Sequence, residues 1–324
     1  MSLAQIHSPG GNALLAGVLC GIGAGALWGL VFLAPELVRS FGPLELAIGR
    51  YLAFGLISAG LIAPRWTILR SRLEPRDWRA LGWLALAGNT LYYVLLASAV
   101  QLGGIAMTSL VIGFLPVAVT IIGSRDQGAV SLARLAPSLL FCVAGAVCVG
   151  WQAVTTPVSG GLGAPLIGLL CAIGALVSWT AYAVGNSRCL ARLHAISAHD
   201  WNLLIGVMTG VQALALIPLA ALAGTSRHDV GDWIRFGLVS IGVAVLASIA
   251  GNALWNRMTR LLPLTLVGQM ILFETLFALL YGFVWEQRLP TLWEVLAFAL
   301  VVLSVTSCLA AHRKRGVPSP ALAA

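Results

Sequence analysis

Apolar runs of roughly 20 residues follow one another along almost the whole chain, separated by short polar connections. About 20 apolar residues in helical conformation cross the hydrocarbon core of a bilayer. The runs lie at 13–35, 44–63, 79–101, 104–123, 134–151, 165–186, 200–223, 233–256, 264–284 and 293–311, which predicts ten transmembrane helices. Their length and the lack of strict alternation favour helices over a barrel. The expected fold class is therefore an all-α polytopic membrane protein with no inserted soluble domain. Residues 1–12 and 312–324 form short tails. The first tail holds no Lys or Arg to make the n-region of a signal peptide.

The pattern also repeats. Residues 17–28, GVLCGIGAGALW, and 168–179, GLLCAIGALVSW, are identical at seven of twelve positions, Cys20/Cys171 and Trp28/Trp179 included. This divides the chain into a five-helix repeat at 13–151, an outer linker at 152–164 rich in Gly and Pro, and a second five-helix repeat at 165–311. Five is odd, so the second repeat enters the membrane upside down. Inverted repeats are the architecture of many secondary transporters, with the substrate site between them near mid-membrane.

The few polar positions inside the runs fall on helical stripes. Span 1 carries Gly17, Gly21, Gly25 and Gly29 at four-residue spacing, a face that admits a close neighbour, followed by Trp28. Span 3 places Asn89 and Tyr93 at i, i+4. Span 6 places Trp179, Tyr182 and Asn186 on one face. Span 8 places Ser248, Asn252, Trp255 and Asn256 together. Such stripes avoid lipid and face the bundle interior, either lining a cavity or hydrogen-bonding between helices. The tip of span 6 also suits an interfacial aromatic belt.

Two charges stand out. Glu274 sits mid-run in span 9, where a carboxylate costs about 2.5 kcal/mol or more on insertion scales. It reads either as a proton carrier or as a structural hydrogen-bond partner. Arg50 lies in span 2. It is either a snorkelling side chain near the outer boundary or a charge partner for a carboxylate or an anionic substrate. The other Lys and Arg residues fall fourteen in alternate connections and the C-terminal tail, against four in the remaining connections, which places both termini in the cytoplasm.

Composition narrows the function. The chain is 59% hydrophobic and 9% charged, against about 25% charged for a soluble domain. The net charge of +8 is scattered over short loops, which argues against a nucleic-acid partner and for a lipid bilayer. Six cysteines form no CxxC pair, and none of the five histidines is central in a run, so neither a metal nor any other cofactor is expected. There is no P-loop, HExxH or GxSxG motif. The chain does not read as an enzyme.

The end of each half carries a further pattern. Residues 261–290, LLPLTLVGQMILFETLFALLYGFVWEQRLP, resemble the closing element of the drug/metabolite transporter superfamily of the ten-helix EamA type. Phe273-Glu274-Thr275 stands where that family has Leu-Glu-Pro, and Gly282, Glu286 and Leu289 complete the element. Residues 103–127 resemble the same element with Leu115-Pro116 and Gly123. One half keeps the proline and the other the glutamate. The resemblance implies a central cavity lined by helices 1, 3, 4, 6, 8 and 9, with 5 and 10 peripheral. It also implies export of amino acids, other metabolites or toxic compounds without ATP, in a bacterial-type inner membrane.

The expected function is a secondary exporter of small metabolites, amino acids first and aromatic ones among them. Trp28, Asn89, Tyr93, Trp179, Tyr182, Asn252, Trp255, Asn256 and Glu274 are the cavity candidates, Arg50 the charge partner and Pro116 the point where helix 4 bends. Export of cationic drugs or nucleoside-like compounds is the alternative, since aromatic linings also hold cations. A membrane-embedded enzyme or assembly subunit and a channel are the alternatives of different class.

Overall fold

The computed structural model describes residues 11–123, 132–155, 163–193, 195–223, 228–261 and 264–313. These residues form helices joined by short connections, with no strand among them. In chain order the helices are α1 (Gly11–Leu37), α2 (Pro43–Ile62), α3 (Pro75–Ala85), α4 (Leu91–Ile112), α5 (Leu115–Gly123), α6 (Leu132–Thr155), α7 (Gly163–Arg192), α8 (Ala198–Ala223), α9 (Val230–Val243), α10 (Asn252–Leu261), α11 (Leu264–Glu286) and α12 (Leu292–Arg313). A short helix, Trp66–Ser71, lies between α2 and α3. Six apolar helical stretches among the described residues are long enough to cross a membrane: Leu15–Leu37, Pro43–Ser71, Pro75–Ile112, Gly163–Leu190, Ala198–Leu222 and Val230–Trp255. Shorter apolar helices occur at Ala133–Gly145 and Leu292–Ser307. The chain is an all-helical integral membrane protein.

Local sequence explains where elements start and break. Pro43 opens α2 at a position that needs no N–H, and the Glu45 carboxylate accepts the Gly42 N–H at 2.8 Å. Asp229 caps α9 by accepting from the Asp232 N–H at 2.7 Å. Within α4, Gly104 adopts φ 84° and ψ 165°, a conformation glycine enters without a Cβ clash. The helical direction therefore breaks between the runs that end at 101 and begin at 104. A second break falls at Gly113 and Phe114, just before Pro116.

Two π-helical segments interrupt otherwise regular helices. Leu86–Thr90 joins α3 to α4, and Ala244–Gly251 joins α9 to α10. Such wide turns recur at functional sites. Each receives a neighbour: Ser178 donates to the Ala87 carbonyl at 2.7 Å, and the Trp28 indole donates to the Ala247 carbonyl at 3.1 Å. Each also has a glycine facing an aromatic ring, Gly88 under Tyr182 and Gly251 against Trp28.

The closest helix pairings are α1 with α11, α2 with α8, α4 with α7 and α6 with α12. Gly55 and Gly210 let the α2 and α8 backbones touch, since a Cβ on Gly55 would lie 2.6 Å from the Gly210 Cα. At one end of the bundle Arg192 pairs with Asp77 at 2.6 Å and Arg65 with Asp200 at 2.7 Å. At the other end Arg39 donates to the Gln101 carbonyl and Gln101 to the Phe41 carbonyl.

The connection from α11 to α12 is closed by charge. Glu294 is 3% exposed. Both its oxygens accept from Arg288, at 2.7 and 2.6 Å, and it also accepts the Thr291 N–H at 2.7 Å. The Glu294 carboxylate raises the pKa of the Arg288 guanidinium, with Glu286 adding to it. Replacing Arg288 by alanine removes the fork and leaves a buried carboxylate short of donors. The expected loss of stability is on the order of 1–3 kcal/mol. Thermal melting of the purified protein reads it, and an added Glu294→Gln should restore part of the loss. Wild-type melting of Arg288→Ala would show that the pair contributes nothing.

Candidate functional site

The helices enclose a cavity of about 650 Å³, partly open to the outside. Small-molecule sites commonly fall in this size range, about 300–1,000 Å³. Its lining draws on α1 (Trp28, Val31), α2 (Arg50, Tyr51, Phe54), the first π segment and the start of α4 (Gly88, Asn89, Tyr92), and Leu115 at the start of α5. Across from these stand α7 (Trp179, Tyr182, Ala183, Asn186, Leu190), α8 (Ala198, Trp201, Asn202, Ile205), the second π segment and α10 (Ala247, Ser248, Asn252, Trp255), and Glu274 of α11. The cavity thus runs down one face of α7 to the α7–α8 connection, the end that carries the Arg192–Asp77 and Arg65–Asp200 pairs. Near the other end Phe41, 1% exposed, stacks on His228 and Phe236.

Of the residues singled out by sequence, Trp28, Asn89, Trp179, Tyr182, Asn252, Trp255, Glu274 and Arg50 all line this one cavity. Tyr93 does not. It is 1% exposed behind the wall, with the Arg50 guanidinium 4.4 Å over its ring, and its neighbour Tyr92 faces the cavity instead. The reason is the π segment that contains Asn89. Its wide turn shifts the register, so the i, i+4 rule of a regular helix no longer carries from Asn89 to Tyr93. Asn256 lies in α10, and its side chain is outside the described residues. Pro116 is set beside the lining residue Leu115.

The aromatic side chains form two groups. Trp28 and Trp255 meet with ring centroids 5.0 Å apart, and Trp179 and Tyr182 meet at 5.7 Å. Carboxamides fill the space between. The Asn89 side-chain amide donates to Thr209 Oγ1 at 3.1 Å, and the Asn89 backbone carbonyl accepts from the Tyr51 hydroxyl at 3.0 Å. Asn252 donates to the Ser248 carbonyl at 2.9 Å, and Asn186 accepts from the Trp201 indole at 2.8 Å.

Arg50 and Glu274 are the only charged residues in the described lining. Arg50 is 8% exposed, held by a 3.3 Å hydrogen bond from Nη2 to Ser248 Oγ and by the rings of Tyr93 and Tyr51. Its guanidinium lies against these rings rather than reaching out to a membrane boundary. Its Nε and Nη1 have no hydrogen-bond partner. Glu274 is within electrostatic range of Arg50, yet the two make no ion pair within 4 Å. Among the described residues no group of His, Cys, Asp and Glu is arranged to hold a metal.

Sequence reasoning left out Tyr92, Trp201 and Asn202, and the implied lining by helices 1, 3, 4, 6, 8 and 9 is too narrow. Spans 2 and 7 contribute as well. Trp201 and Asn202 are adjacent at the start of α8, and only the turn beside Asn186 shows that both face inward. The described lining contains no residue of α6 or α12.

A bundle of apolar helices around a polar and aromatic cavity defines an integral membrane protein with a small-molecule site. The chain belongs to the EamA-like transporter family, whose pattern matches twice, over residues 15–125 and 166–309. It is 30% identical to the inner membrane protein YtfF of Escherichia coli, with 90% of this chain and 94% of that protein covered. It is 25% identical to sll0355 of Synechocystis, an uncharacterized transporter, over 85% of this chain and 84% of that one. A crystal structure shares the fold at a TM-score of 0.59 and 19% identity, covering 90% of this chain and 97% of its own.

Proposed function

We propose that this transporter is a secondary carrier that exports small metabolites, amino acids first and aromatic ones among them, by alternating access around the cavity. The lining carries the reading. Its described residues hold one cation and one carboxylate, and the rest are indole, phenol, phenyl, carboxamide, hydroxyl and aliphatic groups. A net-neutral site with both signs of charge and flat apolar walls complements a zwitterion with an apolar side chain. A cationic drug would leave Arg50 opposed.

The carrier mechanism rests on ten helices in two inverted five-helix halves, with both termini in the cytoplasm of a cell whose inner membrane holds the chain. Several observations support the two halves. The family pattern occurs twice. Shifting Leu86–Thr90 by 159 positions puts it at 245–249, inside the second π segment. Exchanging the halves turns the α1–α11 pairing into that of α7 with α4 and α5, and leaves α2–α8 and α6–α12 unchanged. In this topology the cavity reaches the cytoplasmic side and the Phe41 stack closes the outer side. Rocking of one half against the other would exchange these states, with the break before Pro116 as a bending point and Glu274 as the site of proton coupling.

Counterflow in proteoliposomes tests this. Vesicles preloaded with an unlabelled amino acid should accelerate uptake of the same labelled compound. Uptake without trans-stimulation would indicate a channel. Trans-stimulation by cationic dyes or nucleosides, with no amino acid effective, would replace the amino-acid reading with the drug or nucleoside one.

A further inference from the structure

We infer that Arg50 is the receptor for a carboxylate group on the transported compound, so that possession of a carboxylate is what admits a substrate. The inference rests on the amino-acid reading above and sharpens it to one residue and one functional group.

The starting point is an imbalance. A guanidinium presents five N–H donors and is charged at any accessible pH. Arg50 is more than nine-tenths buried and faces the cavity, yet only Nη2 has a hydrogen-bond acceptor, the neutral hydroxyl of Ser248. Nε and Nη1 have none. Buried charges are ordinarily paired and hydrogen-bonded, because desolvation is costly otherwise. The Tyr93 and Tyr51 rings stabilise the charge by cation–π contact, and the Tyr93 hydroxyl also interacts with the guanidinium, but these groups are neutral and supply no anion. Glu274 is in range without pairing. What is missing is an anionic acceptor arriving from the cavity.

The surroundings select its class. A phosphate would bring up to two negative charges beside Glu274 with a single cation to receive them. A carboxylate matches the one charge and forms short, charge-assisted bonds with the free donors. It leaves Glu274 available for an ammonium group on the same molecule.

The experiment measures binding to the purified full-length transporter by thermal stabilisation and by calorimetry. The ligands are the proteinogenic amino acids, each with its decarboxylated amine and its deaminated acid, for example phenylalanine, 2-phenylethylamine and 3-phenylpropionate. The amine is expected to bind wild type about 10- to 100-fold more weakly than its amino acid. In Arg50→Gln the amino acid should lose its advantage over its amine, and the amine, no longer opposed by a cation, should bind as well as to wild type or better. Ser248→Ala should show the same pattern in weaker form. Arg50→Lys keeps the charge, and serves if the glutamine variant does not yield folded protein. It should retain the preference for a carboxylate with reduced affinity.

Equal binding of amine and amino acid by wild type, or equal weakening of both in Arg50→Gln, would overturn the assignment and make Arg50 a structural cation. Arg50-dependent binding of the deaminated acids without the amino acids would retain the anion receptor and end the amino-acid reading. Failure of every compound to bind would end both.

Discussion

Glu274→Gln is expected to abolish counterflow, lowering the initial rate at least tenfold, while the protein still folds. The expectation follows from where the carboxylate is and what it lacks. Glu274 projects into the cavity from the middle of α11, and among the described residues it makes no hydrogen bond or ion pair. A structural carboxylate at this depth would be held by donors, as Glu294 is held by Arg288 and the Thr291 N–H. An unsatisfied acid in a membrane helix costs about 2.5–3.5 kcal/mol, so glutamine, which is nearly the same shape and uncharged, should leave the melting temperature equal or higher. The function lost is either attraction of an ammonium group or uptake of a proton. Measuring binding and transport in the same variant separates them. Loss of amino-acid binding identifies the charge as a ligand. Binding retained with loss of a pH-dependent rate identifies it as the proton site. Full counterflow together with unchanged pH-dependent net transport in Glu274→Gln would remove Glu274 from the mechanism.

The all-helical, membrane-embedded character and most of the residues that line the cavity were legible because a bilayer leaves few options. A polar side chain within an apolar run must face inward, so Trp179 with Tyr182, and Asn252 with Trp255, could be assigned to one wall from spacing alone. The break at Gly104 was legible as the gap between two apolar runs. The failure at Tyr93 has a physical cause in the π segment, because no residue in Leu86–Thr90 announces the extra residue per turn. It is set by tertiary fit: Gly88 lies under the Tyr182 ring, and Thr90 donates to Gln212 on α8 at 2.7 Å. Arg50 was ambiguous for a related reason. Sequence gives its depth but not its partners, and what tells against snorkelling is the set of rings and the Ser248 hydroxyl that hold it inward. The small-residue stripe of span 1 was legible as a packing face, whereas its partner was not, since many apolar helices could have answered it.

That partner is α11, and the second large effect follows from it. Gly25→Leu is expected to destabilise the protein severely, with a sharp fall in folded yield and in melting temperature. A Cβ at position 25 would come within 2.7 Å of the Phe273 Cβ and 2.9 Å of the Glu274 backbone nitrogen. Backbone atoms cannot step aside as a side-chain tip can, so α1 and α11 must separate. Overpacking of this kind costs about 1–3 kcal/mol and occasionally more, and the stripe compounds it. A Cβ added at Gly29, on the next turn, would lie 3.0 Å from the Ala278 nitrogen. Because Phe273 and Glu274 are the residues displaced, any surviving protein should also lose transport beyond its loss of yield, as the carboxylate moves relative to Arg50. Gly60 provides the control. It lies on an exposed face of α2 with nothing within 4 Å of an added Cβ, so Gly60→Ala should be neutral or gain up to about 1 kcal/mol from reduced backbone freedom in the unfolded chain. Fluorescence-detected size exclusion after heating compares the two variants directly. Equal tolerance of both substitutions would mean that α1 and α11 do not depend on the glycine contact, and that the depth of Glu274 is set by other packing.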